Sequence, residues 1–419
     1  MSKLDALAKR KAEKGEETLL RSKGYLLFII IYMGLIGLMD NYLALIENVA
    51  FYYVMEDFGV SPAELAFWQG IYGIISFGVF LIGWFSDSFG RKKGMLLLIL
   101  VMGIPALLIG LISITFHLFM LLYAFVTFGT ISNLWEVPIT EEAPAEKRGT
   151  YGGLVTLLSL IPLYAFVGVA IATNLGWRWT YGIMFFFMII LLIPLIFMKE
   201  PKRWLDAKEE RGHKFLKLKT AIKSLNRKDV IYILLATLVY GTWGVVFKLS
   251  STWGMHYYVN VVGYSEADYS RVLMVAGLCI LGGAITAGIL LDKIGRKITL
   301  IVGCSGSVIG FIFLGITALP IFVWMVYFFM ALTFVWIMVY FAEIFPNEIR
   351  STATGITAST ARVSYVMGPL LASVLLLIFP TMEWYWIIAG MLMLIPLLSL
   401  LAKPYETKGK TLEEIQEKR

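Results

Sequence analysis

The stretch GWFSDSFGRKK at residues 83–93 returns 205 residues later as GILLDKIGRK at residues 288–297, with Asp292 in the place of Asp87. The glycine, the aspartate and the Gly-Arg-Lys triplet keep their spacing, although the positions between them differ. A repeat at this separation predicts that the two halves of the chain have the same fold.

A second pattern repeats at nearly the same separation. EEAPAEKR at residues 141–148 returns as EIFPNEIR at residues 343–350, with Glu343 standing 202 residues after Glu141. Two patterns at one separation indicate a parallel internal duplication.

The composition excludes a soluble protein. Of 419 residues, 59% are hydrophobic and 16% are charged, and mean hydropathy is +0.78, whereas a water-facing surface needs roughly a quarter of its residues charged. A spanning helix needs about 20 apolar residues. Twelve runs qualify: 25–54, 63–86, 95–116, 118–138, 151–173, 180–198, 230–255, 269–291, 298–318, 321–341, 353–379 and 385–402. We predict an all-α membrane protein of twelve transmembrane helices in two pseudo-symmetric six-helix bundles.

The basic residues orient this topology. Of the 36 Lys and Arg, 32 fall in the tails and in the even-numbered loops, so both termini are predicted to be cytoplasmic. This asymmetry accounts for the net charge of +7 without a nucleic-acid partner. The predicted units are a tail at 1–24, a bundle at 25–198, a linker at 199–229, a bundle at 230–402 and a tail at 403–419.

The repeated motifs resemble those of the major facilitator superfamily along essentially the whole chain. KEPKRWL at 199–205 and PYETKGKTLEEI at 404–415 look like the sugar-porter branch and its relatives. The resemblance implies the major facilitator fold, transport by alternating access in the plasma membrane, a monomer in membrane lipid, and no cofactor or enzymatic activity.

The repeated charges are predicted to form a cytoplasmic gate. Gly83 would permit a close helix approach, and Gly90 a tight turn. The gate residues are Asp87, Arg91, Glu141 and Arg148 in one half and Asp292, Arg296, Glu343 and Arg350 in the other. The alternative is that they are ordinary charges at helix ends.

Five ionisable residues fall inside the apolar runs: Asp40, Glu47, Glu136, Lys248 and Arg362. Each costs at least ~2.5 kcal/mol to insert and is by default a candidate functional group. We predict proton-coupling roles for the three acids. The alternatives are a structural Asp40–Arg362 ion pair, a gate role for Glu136, and a structural pair or a snorkelling position near the outer interface for Glu47 and Lys248.

Arg362 lies in TASTARVSYVMGPLL at residues 357–371, which resembles span eleven of organic-anion transporters in the superfamily. The sequence DNYL that starts at Asp40 is similar to the DGYD pattern of aromatic-acid and metabolite symporters. Arg362 is therefore predicted to hold a substrate carboxylate, with Asp40 as the proton-linked acid. Further predicted substrate contacts are Lys248, Trp243, Trp336, Tyr340 and Tyr365.

We therefore predict proton-coupled symport of a small organic anion. The alternative is a sugar or polyol symporter, although the amide side chains that sugar porters carry in spans five and seven are missing. A third possibility is a membrane sensor that binds solute without moving it. The sequence has no nucleotide-binding loop and no metal-ligand cluster among its three His, which argues against an enzyme.

Overall fold

The computed structural model describes residues 21–130, 132–144, 148–202, 204–205, 226–345, 357, 359–402 and 405–408. Within these ranges the chain is helical and contains no β-strand. In the same ranges, twelve helices are long and apolar enough to cross a membrane. The predicted fold class is confirmed.

The twelve helices coincide one for one with the predicted apolar runs, with ends that differ by about a turn. The predicted start of the eleventh, at residue 353, lies outside the described residues. Their bounds are α1 Lys23–Phe58, α2 Pro62–Phe89, α3 Arg91–Ile112, α4 Phe116–Glu142, α5 Thr150–Leu175, α6 Arg178–Leu195, α7 Arg227–Thr252, α8 Glu266–Ile294, α9 Arg296–Thr317, α10 Pro320–Phe341, α11 Ser359–Ile378 and α12 Glu383–Ala402.

Several of these helices are interrupted. The segments are Pro62–Gly73 and Phe80–Phe89 in α2, Phe116–Gly129 and Val137–Glu142 in α4, Arg148–Ser159 (which starts two residues before the span) and Leu163–Leu175 in α5, and Glu383–Leu392 and Ile395–Leu398 in α12. Helix α1 continues through Ile46, whose N–H donates to Tyr42 and whose carbonyl accepts from Ala50. Transporters place their binding sites beside such interruptions, where backbone groups are available.

Local sequence sets several helix starts. Hydroxyl side chains accept hydrogen bonds from backbone N–H groups in the first turns of four helices, namely Ser22, Ser61, Thr115 and Ser265. At α7, Asn226 and Asp229 cap each other's backbone in a capping box. These caps satisfy N–H groups that the helix leaves open.

The two ends of the bundle differ. We call the end that holds Arg91 and Arg296 the basic end, and the end that holds Phe58 and Glu266 the far end. Toward the far end, helices of the two halves approach each other closely. A Cβ on Gly277 of α8 would lie 2.5 Å from Pro162 Cβ of α5, and one on Gly73 of α2 would strike the carbonyl of Tyr365 in α11. Small residues permit this approach.

Candidate functional site

Glu47 is fully buried at the junction of the two halves. Lys248 Nζ lies 2.9 Å from Glu47 Oε1, and the Thr252 hydroxyl donates to the same oxygen at 2.9 Å. Gln69 Nε2 donates to Oε2 at 3.2 Å, and the Tyr123 hydroxyl also donates to Oε2. We call these five residues the Glu47 network.

The Glu47 network joins the halves of the protein. Lys248 and Thr252 belong to α7, whereas Gln69 and Tyr123 belong to α2 and α4. Both side chains of the ion pair are at most 2% exposed. Buried charges need a partner and further hydrogen bonds to offset their desolvation, and Glu47 has both. Glu47 and Lys248 thus form an ion pair, as one of the predicted alternatives has it, and their predicted roles in coupling and substrate binding stay predictions.

Further polar contacts cross between the halves nearer the far end. Asn48 Nδ2 donates to the Tyr327 hydroxyl at 2.9 Å, and the Tyr269 hydroxyl donates to Asn48 Oδ1 at 2.6 Å. The Tyr53 hydroxyl donates to Glu266 Oε2 at 2.6 Å. Together with the Glu47 network, these contacts join the two halves toward the far end.

Asp40 lies two helical turns from Glu47 along α1, at mid-depth, and is 2% exposed. Trp135 Nε1 donates to Asp40 Oδ2 at 2.9 Å. Glu136, the next residue, is near enough for its carboxyl group to interact electrostatically with Asp40. The structure thus brings together two of the three predicted proton-coupling acids, and it places Glu47 in a separate network.

Arg362 approaches the first half from α11. Its Nη2 donates to the backbone carbonyl of Thr130 in α4 at 3.2 Å. The centroid of the Tyr365 ring lies 5.2 Å from Arg362 Cζ and 4.5 Å from Lys248 Nζ. The ring is therefore near both Arg362 and the Lys248 ammonium of the Glu47 network.

The remaining predicted aromatic contacts lie within the second half. Trp243 Nε1 donates to the Met330 carbonyl at 2.9 Å, and its ring stacks on Phe334. Trp336 Nε1 donates to the Arg296 carbonyl at 2.6 Å, and the Tyr340 hydroxyl to the Tyr405 carbonyl at 2.9 Å. Trp336 and Tyr340 thus donate to backbone carbonyls at the basic end, and their contact with a substrate stays a prediction.

The repeated charges form one cluster in each half. Arg91 donates to Glu141 at 2.6 Å and also pairs with Asp87. Arg296 donates to Glu343 at 2.6 Å and lies 4.0 Å from Asp292. Three of the four predicted gate residues of each half are thus close together, each cluster is internal to its half, and the gate role stays a prediction. The side chain of Arg148 and the whole of Arg350 lie outside the described residues.

The glycines of the repeated motif have separate outcomes. Gly90 and Gly295 have φ of +118° and +91°, a backbone conformation that favours glycine. The expectation for Gly83 is wrong, because a Cβ there would meet nothing within 4 Å. The close approach occurs at Gly94, which packs on Ser86.

Each cluster also contains a glutamate that was not predicted from the sequence. Glu200, after α6, accepts from the backbone N–H of Arg91 at 2.7 Å, at the start of α3. Glu406, after α12, accepts from the backbone N–H of Arg296 at 2.9 Å, at the start of α9. The two glutamates are 206 residues apart, close to the separation of the repeated motifs, and this spacing could have revealed them.

Glu406 is held in its charged form. Burial alone would raise the pKa of its carboxyl group, but the backbone N–H groups of Arg296, Lys297 and Lys408 together lower that pKa below its ordinary value. A carboxylate at a helix N-terminus also interacts favourably with the helix dipole. The C-terminal tail is thereby tied to the start of α9.

We expect Glu406→Gln to lower the free energy of unfolding by about 1 kcal/mol, the value typical of a lost N-terminal cap. Because the folded pKa is depressed, the stabilisation is present at neutral pH and is lost as the pH falls through that folded pKa. Thermal unfolding in detergent at neutral and acidic pH measures this. The control is Glu64→Gln, an exposed acid in the first turn of α2. Equal unfolding of wild type and Glu406→Gln at neutral pH would contradict the role.

Comparison with known proteins identifies the family. The profile of the Major Facilitator Superfamily matches residues 24–340 and 288–418, almost the whole chain. The chain belongs to the Major Facilitator Superfamily. It is therefore a multi-pass membrane transporter, and the predicted resemblance is confirmed.

Relatives of this superfamily member include named sugar transporters. The glucose transporter GlcP of Staphylococcus epidermidis is 25% identical, over 95% of this chain and 97% of that protein. The arabinose-proton symporter of Bacillus subtilis is 26% identical, over 94% and 95%. The inward-open structure of the xylose transporter XylE from E. coli has a TM-score of 0.70 at 20% identity, covering 94% of this chain and 99% of that one. This last likeness concerns the fold alone.

Proposed function

We propose that this protein is a proton-coupled sugar symporter of the plasma membrane, with both termini in the cytoplasm. The sugar class is supported by the names of the relatives that align over nearly the full length, a glucose transporter and an arabinose-proton symporter. The names of these relatives do not support the preferred prediction, which was transport of a small organic anion. They fit the predicted alternative, a sugar symporter, better.

The position of Asp40 is the observation that supports proton coupling. An ionisable group at mid-depth costs at least ~2.5 kcal/mol to insert, so its presence needs a function. Asp40 is buried, receives a hydrogen bond from the neutral indole of Trp135, and stands beside Glu136. Such a carboxyl group can take up a proton from one side and release it to the other.

Tyr365 is the residue we assign to the sugar. Its hydroxyl oxygen is buried and has no hydrogen-bond partner among the described residues. Sugars bind through hydroxyl groups and through apolar ring faces, and a tyrosine offers both a polar atom and a flat ring. The centroid of its ring also lies 5.2 Å from Arg362 Cζ and 4.5 Å from Lys248 Nζ, and this position near charged groups of the second half supports the assignment.

Uptake into proteoliposomes tests the proposal. We expect radiolabelled glucose, arabinose or xylose to accumulate when an inward proton gradient is imposed, and to leave when a protonophore collapses it. A gradient of about two pH units supports up to ~100-fold accumulation for one proton per sugar. Benzoate is the comparison solute. Accumulation of benzoate without any sugar would overturn the proposal, and binding without accumulation would indicate a sensor.

A further inference from the structure

Helix α4 is interrupted at mid-depth. Its first segment ends at Gly129, and Thr130 is extended, with φ of −69° and ψ of 156°. Asn133 has a left-handed backbone with φ of +51°, and a short turn at Leu134–Glu136 leads into the segment that starts at Val137. The equivalent helix of the second half, α10, continues unbroken over Pro320–Ile344. The duplication therefore does not explain this interruption.

The interruption releases a backbone carbonyl. In a continuous helix, the N–H of Leu134 would donate to the carbonyl of Thr130. Here the Leu134 N–H donates to the Ser132 hydroxyl at 3.3 Å, and the Thr130 carbonyl accepts from Arg362 at 3.2 Å. Irregular backbone at membrane depth persists only where its polar groups are satisfied inside the protein. Arg362, from the other half, satisfies this one.

The same interruption directs Trp135 toward α1. Its indole N–H donates to Asp40 at 2.9 Å, and both residues are at most 3% exposed. The ring packs on Gly37, one turn before Asp40, where a Cβ would lie 3.0 Å from Trp135 Cδ2. The glycine thus leaves room for the ring in an orientation that aims its N–H at the carboxylate.

We propose that Trp135 is the positioning residue of the proton site, and that the interruption of α4 couples this site to Arg362 in the other half. This rests on the proposed function, since Asp40 is taken as the carboxyl group that carries the coupled proton. An indole N–H is only a donor, so it favours the ionised carboxylate. Protonation of Asp40 weakens that hydrogen bond and lets the α4 segment move, which changes the Thr130 contact with Arg362.

Among the described residues, the ionisable groups around Asp40 include Glu136 of α4 and Tyr365 of α11, and Arg362 lies 5.2 Å from the centroid of the Tyr365 ring. Trp135 differs from all three because it carries no titrating proton. Its substitution therefore changes the response of Asp40 to pH without removing an ionisable group.

Trp135→Phe is the first test, and transport as a function of pH is the measurement. We expect the alkaline limb of uptake to move to higher pH by about one unit, because the ionised carboxylate loses a hydrogen bond of the charged kind. The control is Trp324→Phe, whose indole donates to the Val272 carbonyl at 3.0 Å within the second half. A rate that falls equally at every pH, with the midpoint unchanged, would show a merely structural role for Trp135 and overturn the proposal.

A matched pair at Asn133 tests the interruption itself. Glycine adopts the left-handed backbone freely, whereas alanine resists it and favours a continuous helix. We expect Asn133→Ala to shift the pH profile in the same direction as Trp135→Phe, and Asn133→Gly to leave it unchanged. Identical profiles for the two Asn133 variants would contradict the assigned role of the α4 interruption.

Infrared difference spectroscopy separates this inference from the sugar proposal, because it needs no solute. Purified protein is titrated, and the carboxyl band lost in Asp40→Asn is assigned to Asp40. We expect Trp135→Phe to shift the midpoint of that band, and Trp324→Phe not to. If the wild type moves no sugar but this shift is present, the sugar proposal fails and the role of Trp135 stands. An unchanged midpoint in Trp135→Phe overturns that role whatever the solute.

Discussion

Glu47→Gln is expected to open the far end of the protein. The substitution leaves the Lys248 ammonium buried without its counter-ion, and breaking a buried ion pair in this way costs about 3 to 5 kcal/mol. Because Lys248 and Glu47 lie in different halves, the substitution destabilises the conformation in which the two halves are in contact at the far end. A change of about 5.5 kcal/mol moves a two-state equilibrium from 1:99 to 99:1. Most of the molecules should therefore shift to a conformation in which the far end is open.

The distance between spin labels at Glu56 and Asn260 measures this opening. Both positions are exposed near the far end, one in each half, and the natural cysteines Cys279 and Cys304 are replaced beforehand. We expect a longer distance in Glu47→Gln and in Lys248→Met.

The double variant Glu47→Gln with Lys248→Met distinguishes the ion pair from simple damage. Removing both charges leaves no uncompensated ion, so the distance should return most of the way to that of the wild type. Asp268→Asn is the control, since it breaks the exposed Asp268–Arg271 pair within one helix, where the effect is about 1 kcal/mol or less. A wild-type distance in both single variants would show that the pair does not hold the far end closed.

Asp40→Asn is expected to abolish accumulation driven by a proton gradient while retaining exchange of labelled for unlabelled solute. Asparagine has the same shape and its carbonyl oxygen still accepts a hydrogen bond from Trp135, but it cannot carry a proton in the working pH range. Under about two pH units of gradient, accumulation should fall from as much as ~100-fold to simple equilibration.

The matched control for this variant is Asp57→Asn. Asp57 pairs with Arg178 at 2.9 Å in a partly exposed site at the far end, so its neutralisation should leave accumulation near that of the wild type. Accumulation that persists in Asp40→Asn would remove Asp40 from the coupling mechanism. Loss of both accumulation and exchange would instead indicate a failure of binding or folding, which thermal unfolding of the variant resolves.

Local pattern was sufficient to predict the helices but not their partners. Asp40, Glu47, Glu136, Lys248 and Arg362 were found because a charge in an apolar run is conspicuous in any single sequence. Their pairing could be offered only as an alternative, because Lys248 lies 201 residues from Glu47 and distance along the chain does not identify neighbours across the bundle. Gln69, Tyr123 and Thr252 gave no signal either, since an uncharged polar residue in a spanning helix has no periodicity that identifies its neighbour.

The gate residues show what spacing along the chain can predict and what it cannot. The repeated spacing brought Asp87, Arg91 and Glu141 into one hypothesis, and the structure places them in contact. The sequence could not show that each cluster closes within its own half, because spacing along the chain does not state which helices are adjacent. Trp336 and Tyr340 were selected on residue type alone, and their backbone partners at the basic end are visible only in three dimensions.

The sequence by itself determined that the protein lies in a bilayer, that it has twelve spanning helices and that it consists of two related halves. These properties follow from the lengths of the apolar runs and from the repeated motifs, both of which can be read directly along the chain. Only the tertiary structure decided which charges pair, that polar contacts join the halves toward the far end, and that residues at the interruption of α4 contact both Asp40 and Arg362. Such contacts depend on side chains from distant helices meeting within hydrogen-bond distance, and burial in a medium of low polarity makes each of them strong.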